Sequence, residues 1–418
     1  MDLSERASAS LTLPRPFLFV GPALIVSIAF IDPGNIAVNI QAGSKYGYAL
    51  LWVALGANLI AILFQSLAAK LGLATGRDLA QLCRERFSRP VASALWIASE
   101  FAAMATDLAE FVGAAVGLSL LMNIKLMPAM VLAGLLTSAL LWLQRFGLRT
   151  MELMMGAFAV AIGICYFAEL AISGLDWGET LRGSFIPNFP DSGAVAVAAA
   201  IIGATLMPHA LFLHSDLAQE RFSRGPAASR GRVLAASNTE VRFVLICAGL
   251  VNMAMIAAAA AAFHAGHPEV EKLETAYELL QPLLGSAAAA VFLTALLASG
   301  LASSTVGTMA GQTIMRGFVG FSIPIWTRRL VTMLPAFAII GAGVDVTQAL
   351  IGSQIALSFA LPAPLIPLIL FTRDKRLMGE LVNSRVVDFS AIAVGAALLA
   401  LNAALVAQAL GFAIPGLG

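Results

Sequence analysis

The sequence predicts an all-α membrane protein of about eleven transmembrane helices, organised as two inverted five-helix repeats plus one extra helix. Three observations predict it. Of 418 residues, 59% are hydrophobic and 12% charged, against about 25% charged in soluble domains. Lys and Arg collect in alternate connections between the apolar runs, and two of those runs are interrupted at corresponding places.

The composition excludes a soluble globular enzyme. A formal net charge of +1 leaves no global field to attract nucleic acid. Cys83, Cys165 and Cys247 have no paired spacing, so neither a disulfide framework nor a thiolate metal site is expected. Asp2 and Glu5 precede the first apolar run without a small-residue cleavage motif before Asp32, which argues that this run is retained.

A hydrocarbon core of about 30 Å needs roughly 20 apolar residues per helix. Runs of that kind lie near 17–40, 48–70, 91–120, 125–144, 151–173, 192–217, 241–264, 286–312, 328–345, 347–371 and 387–412. The expected organisation is a single transmembrane domain, 1–418, with a first repeat over 17–173, a second over 192–371 and the extra helix at 387–412. One set of alternate connections holds 21 of the 25 Lys and Arg, from Arg6 and Arg15 through Lys70, Arg145, Arg224 and Arg316 to Arg385. The opposite set holds Lys45, Lys125, Arg182 and Lys272. The N-terminus is therefore expected in the cytoplasm and, with an odd number of spans, the C-terminus outside the inner membrane.

The first span carries Asp32, Pro33, Gly34 and Asn35 at its middle. Proline removes a backbone donor and glycine lowers the cost of unwinding, so the helix breaks here. A break bares carbonyl oxygens, such as those near Ala29, beside a carboxylate and an amide. An intramembrane carboxylate calls for a cation or a proton. The sixth span is interrupted at Met207, Pro208 and His209. Both broken spans open a group of five with opposite orientation, the pattern of an inverted repeat with a midplane site. The Met207 thioether is a soft ligand suited to later transition metals rather than Mg²⁺ or Ca²⁺.

His209 and His214 are each open to a role as core residue, ligand or titrating group. His214 lies seven positions after Met207, on nearly the same helix face and about 10 Å toward the cytoplasm. Glu100, Asp107 and Glu110 share one face of the third span, as a proton route or an ion-pair network. Arg328 and Arg329, opening the ninth span, are the candidate cationic partners.

These motifs resemble the natural resistance-associated macrophage protein (Nramp) family of proton-coupled divalent-metal transporters, in its bacterial form. The matches are Asp32-Pro-Gly-Asn35, Ala204-Thr-Leu-Met207-Pro-His209 and Thr106-Asp107-Leu-Ala-Glu110, with the segments ASGLASSTVGTMAGQTIMRGF and SQIALSFALPAPLIPLILFT. The resemblance covers spans one to ten; after Gly300 this chain reads Leu-Ala-Ser-Ser where many relatives have Gln-Ser-Ser. It implies a leucine-transporter-like fold and import of Mn²⁺, Fe²⁺ and similar ions with protons. It also implies metal ligation by Asp32, Asn35 and Met207, with the carbonyls of Ala29 and Ala204, and Gln354, taking part in particular conformations. It assigns His209, His214, Glu100, Asp107, Glu110, Arg328 and Arg329 to the proton pathway or to gating.

The expected function is alternating access, with the metal, the proton and the bilayer as its partners. No soluble cofactor, nucleic acid or obligatory protein partner is implied. The competing reading is a sodium-coupled amino-acid or amine carrier on the same fold, whose site aims backbone amides at a substrate carboxylate. An intramembrane enzyme is disfavoured because H-E-x-x-H and G-x-S-x-G are absent from the sequence.

Overall fold

The computed structural model describes residues 21–222, 230–267, 270, 272–321 and 323–409. Regular structure among them is entirely helical. The helices are α1 (Pro22–Ser27), α2 (Pro33–Tyr46), α3 (Leu51–Thr75), α4 (Leu79–Arg86), α5 (Arg89–Met122), α6 (Leu126–Trp142), α7 (Leu148–Ile172), α8 (Trp177–Phe185) and α9 (Ser192–Thr205). They continue with α10 (Pro208–Phe222), α11 (Arg230–Phe263), α12 (Leu273–Leu284), α13 (Ser286–Val319), α14 (Ile325–Gly341), α15 (Val346–Ala360), α16 (Pro362–Thr372), α17 (Lys375–Met378) and α18 (Arg385–Ala409). Residues 17–20 and 410–412 of the expected first and last spans, and Arg6, Arg15 and Arg224, lie outside the described residues.

Nine helices among the described residues are long and apolar enough to cross a membrane, or ten when the bent pair Pro22–Ile31 and Pro33–Tyr46 is taken as one span. The one expected span not among these is the ninth, α14, whose 17 residues reach about 26 Å. By contrast α5, α11 and α13 each run 34 residues, about 51 Å, and overshoot the hydrocarbon core. Hydropathy registers only the lipid-immersed part of such helices. For that reason the expected run 241–264 starts well inside α11, and the run 286–312 ends inside α13.

The breaks fall where the sequence places them. Helix α1 starts with Pro22 at its first turn, tightens into a 3₁₀ turn over Ile28–Ile31 and stops at Asp32, whose backbone is extended. Asp32 then caps α2, its side chain accepting the Asn35 N–H. The axis bends by 46° across the break. In the sixth span α9 ends at Thr205 and α10 restarts at Pro208. A further interruption, not expected from the sequence, separates α15 from α16 at Leu361, where Pro362 opens the second segment.

Small residues let the helices approach closely. A Cβ at Gly300 of α13 would lie 2.6 Å from the Ala114 backbone nitrogen of α5, and one at Gly43 of α2 would lie 2.3 Å from the Ile256 carbonyl oxygen of α11. Three consecutive residues fasten the middle of α10. His214 Nδ1 lies 2.8 Å from Gln65 Oε1 of α3, Ser215 Oγ accepts the Leu79 N–H of α4, and Asp216 accepts from Thr313 and Arg316 of α13.

Candidate functional site

The two breaks meet at Asn35. Its Nδ2 donates to Asp32 Oδ1 at 2.8 Å and to the Ala204 carbonyl at 2.9 Å, so one amide joins the first broken span to the sixth. Asp32 Oδ1 also accepts the Asn35 backbone N–H at 2.8 Å. Asp32 Oδ2 has no hydrogen-bond partner among the described residues, and neither has Gln354 Oε1. Both side chains abut Gly34: a Cβ there would lie 1.8 Å from Gln354 Nε2 and 3.0 Å from Asp32 Oδ2. Asp32, Gln354 and Met207 have no exposed surface at all. Unsatisfied buried oxygens cost free energy unless something supplies positive charge or a proton.

The surrounding helices hold the break open. Asn252 of α11 donates to the Phe30 carbonyl and Ser299 of α13 to that of Ile31, satisfying backbone oxygens that the interruption leaves without helical partners. Asn39 in turn donates to Asn252. A Cβ on Gly113 of α5 would lie 2.0 Å from Pro33 Cβ, so only glycine admits the prolyl ring. Ala29 is buried in the 3₁₀ turn and Ala204 in the last turn of α9. Met207 sits between α9 and α10, buried, its carbonyl accepting the Ala210 N–H.

The acidic stripe of α5 divides into two environments. Glu100 pairs with Arg328 of α14 at 2.9 Å and accepts from Trp96 at 3.3 Å. Asp107 and Glu110 are buried, with no hydrogen bond of ordinary geometry to either carboxylate among the described residues, although the hydroxyls of Thr332 and Ser303 lie beside them. Both face Gly307 of α13, where a Cβ would lie 2.2 Å from Glu110 Oε2 and 2.9 Å from Asp107 Oδ1. Arg329, also buried, interacts electrostatically with both, but its hydrogen bonds go to Thr137, Ser304 and Thr308. The two expected arginines thus have different partners: one is in an ion pair, the other in a cage of hydroxyls. Glu110 also feels the charge of Asp32, which links the stripe to the break.

His209 Nδ1 lies 3.1 Å from Thr106 Oγ1 of α5, while its Nε2 has no partner among the described residues. His214 lies with Gln65 instead, away from the Thr106 contact. Asn252, Ser299, Gly113 and Gly307 are structural parts of the site that residue-type reasoning missed. Single hydroxyls, amides and glycines in apolar runs give no signal until the packing brings them to a break. Among the described residues no three His, Cys, Asp or Glu side chains group as a metal cluster. One carboxylate, two amides, a thioether and bared carbonyls make up the polar set instead.

Paired broken helices around a buried carboxylate define a multi-pass membrane protein with a secondary-transporter architecture. The chain belongs to the Nramp family: the model described as natural resistance-associated macrophage protein-like matches residues 23–408. It is 56% identical over 401 residues to a divalent metal cation transporter MntH of Granulibacter bethesdensis, covering 96% of this chain and 90% of that one. It is 55% identical to a protein of the same name from Verminephrobacter eiseniae, covering 99% and 93%. Among solved structures, the Eremococcus coleocola manganese transporter matches with a TM-score of 0.84 at 32% identity, covering 94% of this chain and 87% of that one. Mhp1, a nucleobase-cation-symport-1 family transporter, matches with a TM-score of 0.60 at 16% identity over 88% and 82%, which shows the shared leucine-transporter-like fold.

Proposed function

We propose that this protein imports divalent transition metals, Mn²⁺ and Fe²⁺ among them, across the inner membrane by proton-coupled alternating access. The observation that carries the proposal is the orphaned Asp32 Oδ2, which abuts Gly34 beside the amide of Gln354, whose own Oε1 is unpartnered, at a break that Asn35 joins to the Met207 segment. A cation satisfies Asp32 Oδ2, and Gln354 joins it by turning its Oε1 in place of its Nε2. Met207 adds a soft ligand that favours Mn²⁺ and Fe²⁺ over Ca²⁺. The names of the relatives, divalent metal cation transporter and manganese transporter, support this reading.

Asn35 has to change state in the process. Its Nδ2 now faces Asp32 and Ala204, and an amide nitrogen cannot ligate a cation, so metal binding turns Oδ1 inward. That turn removes the hydrogen bond to Ala204 that joins the breaks, and so couples occupancy to the relation between the two broken spans. A divalent ion beside Asp32 also favours the ionised carboxylate. The released proton passes to Glu110 and Asp107 under the field of Arg329, with His209 and Thr106 as a neighbouring route.

The test is Mn²⁺ flux into proteoliposomes with and without an inward proton gradient, for the wild type and Asp32→Ala. Saturable, gradient-stimulated flux that resists excess Ca²⁺ and disappears in the variant is expected. Folded wild-type protein that moves no Mn²⁺ but carries an amino acid with Na⁺ overturns the proposal.

A further inference from the structure

A groove of about 260 Å³ runs between α16 and α18, outside the site described above. Its walls are apolar, with Leu365 and Ile369 on one side and Ile392 and Leu399 on the other. Gly395 keeps its middle open, since a Cβ there would lie 3.1 Å from Ile369 Cδ1. Ile366, Leu370, Ile392 and Leu399 are each 41–45% exposed, so the groove faces the bilayer rather than the protein core.

Its two ends differ. Arg373 closes the end that the distribution of Lys and Arg places at the cytoplasmic surface, and Asn402 closes the other. Among the described residues Arg373 has no carboxylate within ion-pairing distance, and its side chain is exposed. The neighbouring acids Asp374 and Asp388 are occupied, capping α17 through the Arg376 N–H and accepting from Asn383. From Leu361 to Arg373 along α16 is about 18 Å. That is close to half of a hydrocarbon core of about 30 Å, the depth of one leaflet. An apolar slot one leaflet deep with an unpaired guanidinium at its interfacial end matches a single lipid molecule in both dimensions and charge.

We propose that this groove seats one acyl chain of an anionic glycerophospholipid from the cytoplasmic leaflet, with its phosphate held by Arg373. The seat reaches the transport core through Asn402, which exchanges two hydrogen bonds with Ser358 of α15, at 2.6 and 2.7 Å. Ser358 lies one helical turn beyond Gln354 and packs beside Gly203 of α9. A chain in the groove therefore braces α18, the helix outside the two repeats, against the helix that carries a residue of the site. The lipid seat stands independently of which ion is transported.

The experiment is native mass spectrometry of the detergent-solubilised full-length protein with an equimolar mixture of phosphatidylglycerol and phosphatidylcholine. The wild type should retain one phosphatidylglycerol with a preference of about fivefold, the value of one interfacial cation. Arg373→Gln should lower the preference to parity. Ala396→Trp, which fills the groove on its exposed side and keeps Arg373, should lose retention of both lipids. Unchanged elution and melting temperature establish that each variant is folded. Equal retention of the two lipids by the wild type, a preference that survives Arg373→Gln, or full retention by Ala396→Trp overturns the proposal. So does loss of the preference only in the triple variant Lys375→Gln, Arg376→Gln, Arg385→Gln, because that result assigns it to diffuse surface charge.

Discussion

Replacing Gly113 by alanine tests whether the helix break is held by packing. The added Cβ would sit 2.0 Å from Pro33 Cβ and 2.4 Å from Pro33 Cγ. Carbon atoms in contact rest at about 3.5–4.0 Å, so α5 and the break must separate by more than about 1 Å. The prolyl ring cannot rotate away, because its φ is fixed and it forms the first turn of α2. Overpacking of this kind costs about 1–3 kcal/mol. Charged against the metal-bound geometry, this weakens binding roughly 5- to 150-fold. Isothermal titration with Mn²⁺ and a thermal melt in detergent read the two consequences, and Gly163→Ala, whose Cβ would meet only Val251 at 3.9 Å, serves as the control. A Gly113→Ala protein that binds Mn²⁺ and melts like the control would refute the reasoning.

Three further perturbations separate the remaining roles. Met207→Ala is expected to relax exclusion of Ca²⁺ and Mg²⁺ more than it weakens Mn²⁺ uptake, as measured by competition in proteoliposomes; unchanged Ca²⁺ exclusion removes the thioether from the selectivity argument. A double-mutant cycle on Asp216 and Arg316, which tie α10 to α13, should give a coupling of about 1 kcal/mol in unfolding that shrinks in high salt, since Arg316 is half-exposed. No coupling at low salt leaves the tie without energetic weight. Asp78 lies outside the membrane-spanning helices and caps α4; burial, reinforced by nearby Asp216 and opposed by the Gln81 N–H and Arg316, raises it from 3.8 to about 7. Its folded value lies above its unfolded one, so folding takes up a proton and stability falls as pH rises from about 4 to about 7. Asp78→Asn keeps the cap and should flatten that decline by up to a few kcal/mol, while parallel melting curves for the two proteins across this window contradict the assignment.

Much of the architecture was legible because the bilayer limits the alternatives. Lipid cannot satisfy backbone groups, so apolar runs must be helices, and a Pro-Gly pair next to a carboxylate must mark a break. Asp32, Asn35 and Met207 stand out on chemistry alone, being a charge, an amide and a soft ligand at the two interruptions. The break at Leu361 stayed hidden because prolines are common in membrane helices and no charged residue marks it. The pairing of Arg328 with Glu100, and of Arg329 with hydroxyls, could not be read from adjacent arginines of the same type.

By itself, then, the sequence determined the helical class, the number of expected spans and the residues that interrupt the first and sixth, because these follow from hydropathy and backbone chemistry local to each segment. The tertiary structure alone decided that Asn35 joins the two breaks, that Gly34 leaves room for Asp32 and Gln354, and that Gly113 admits Pro33. Those facts depend on residues far apart in sequence coming within a few ångströms. Sequence pattern specifies which face of a helix is apolar, but close packing decides which neighbour each face meets.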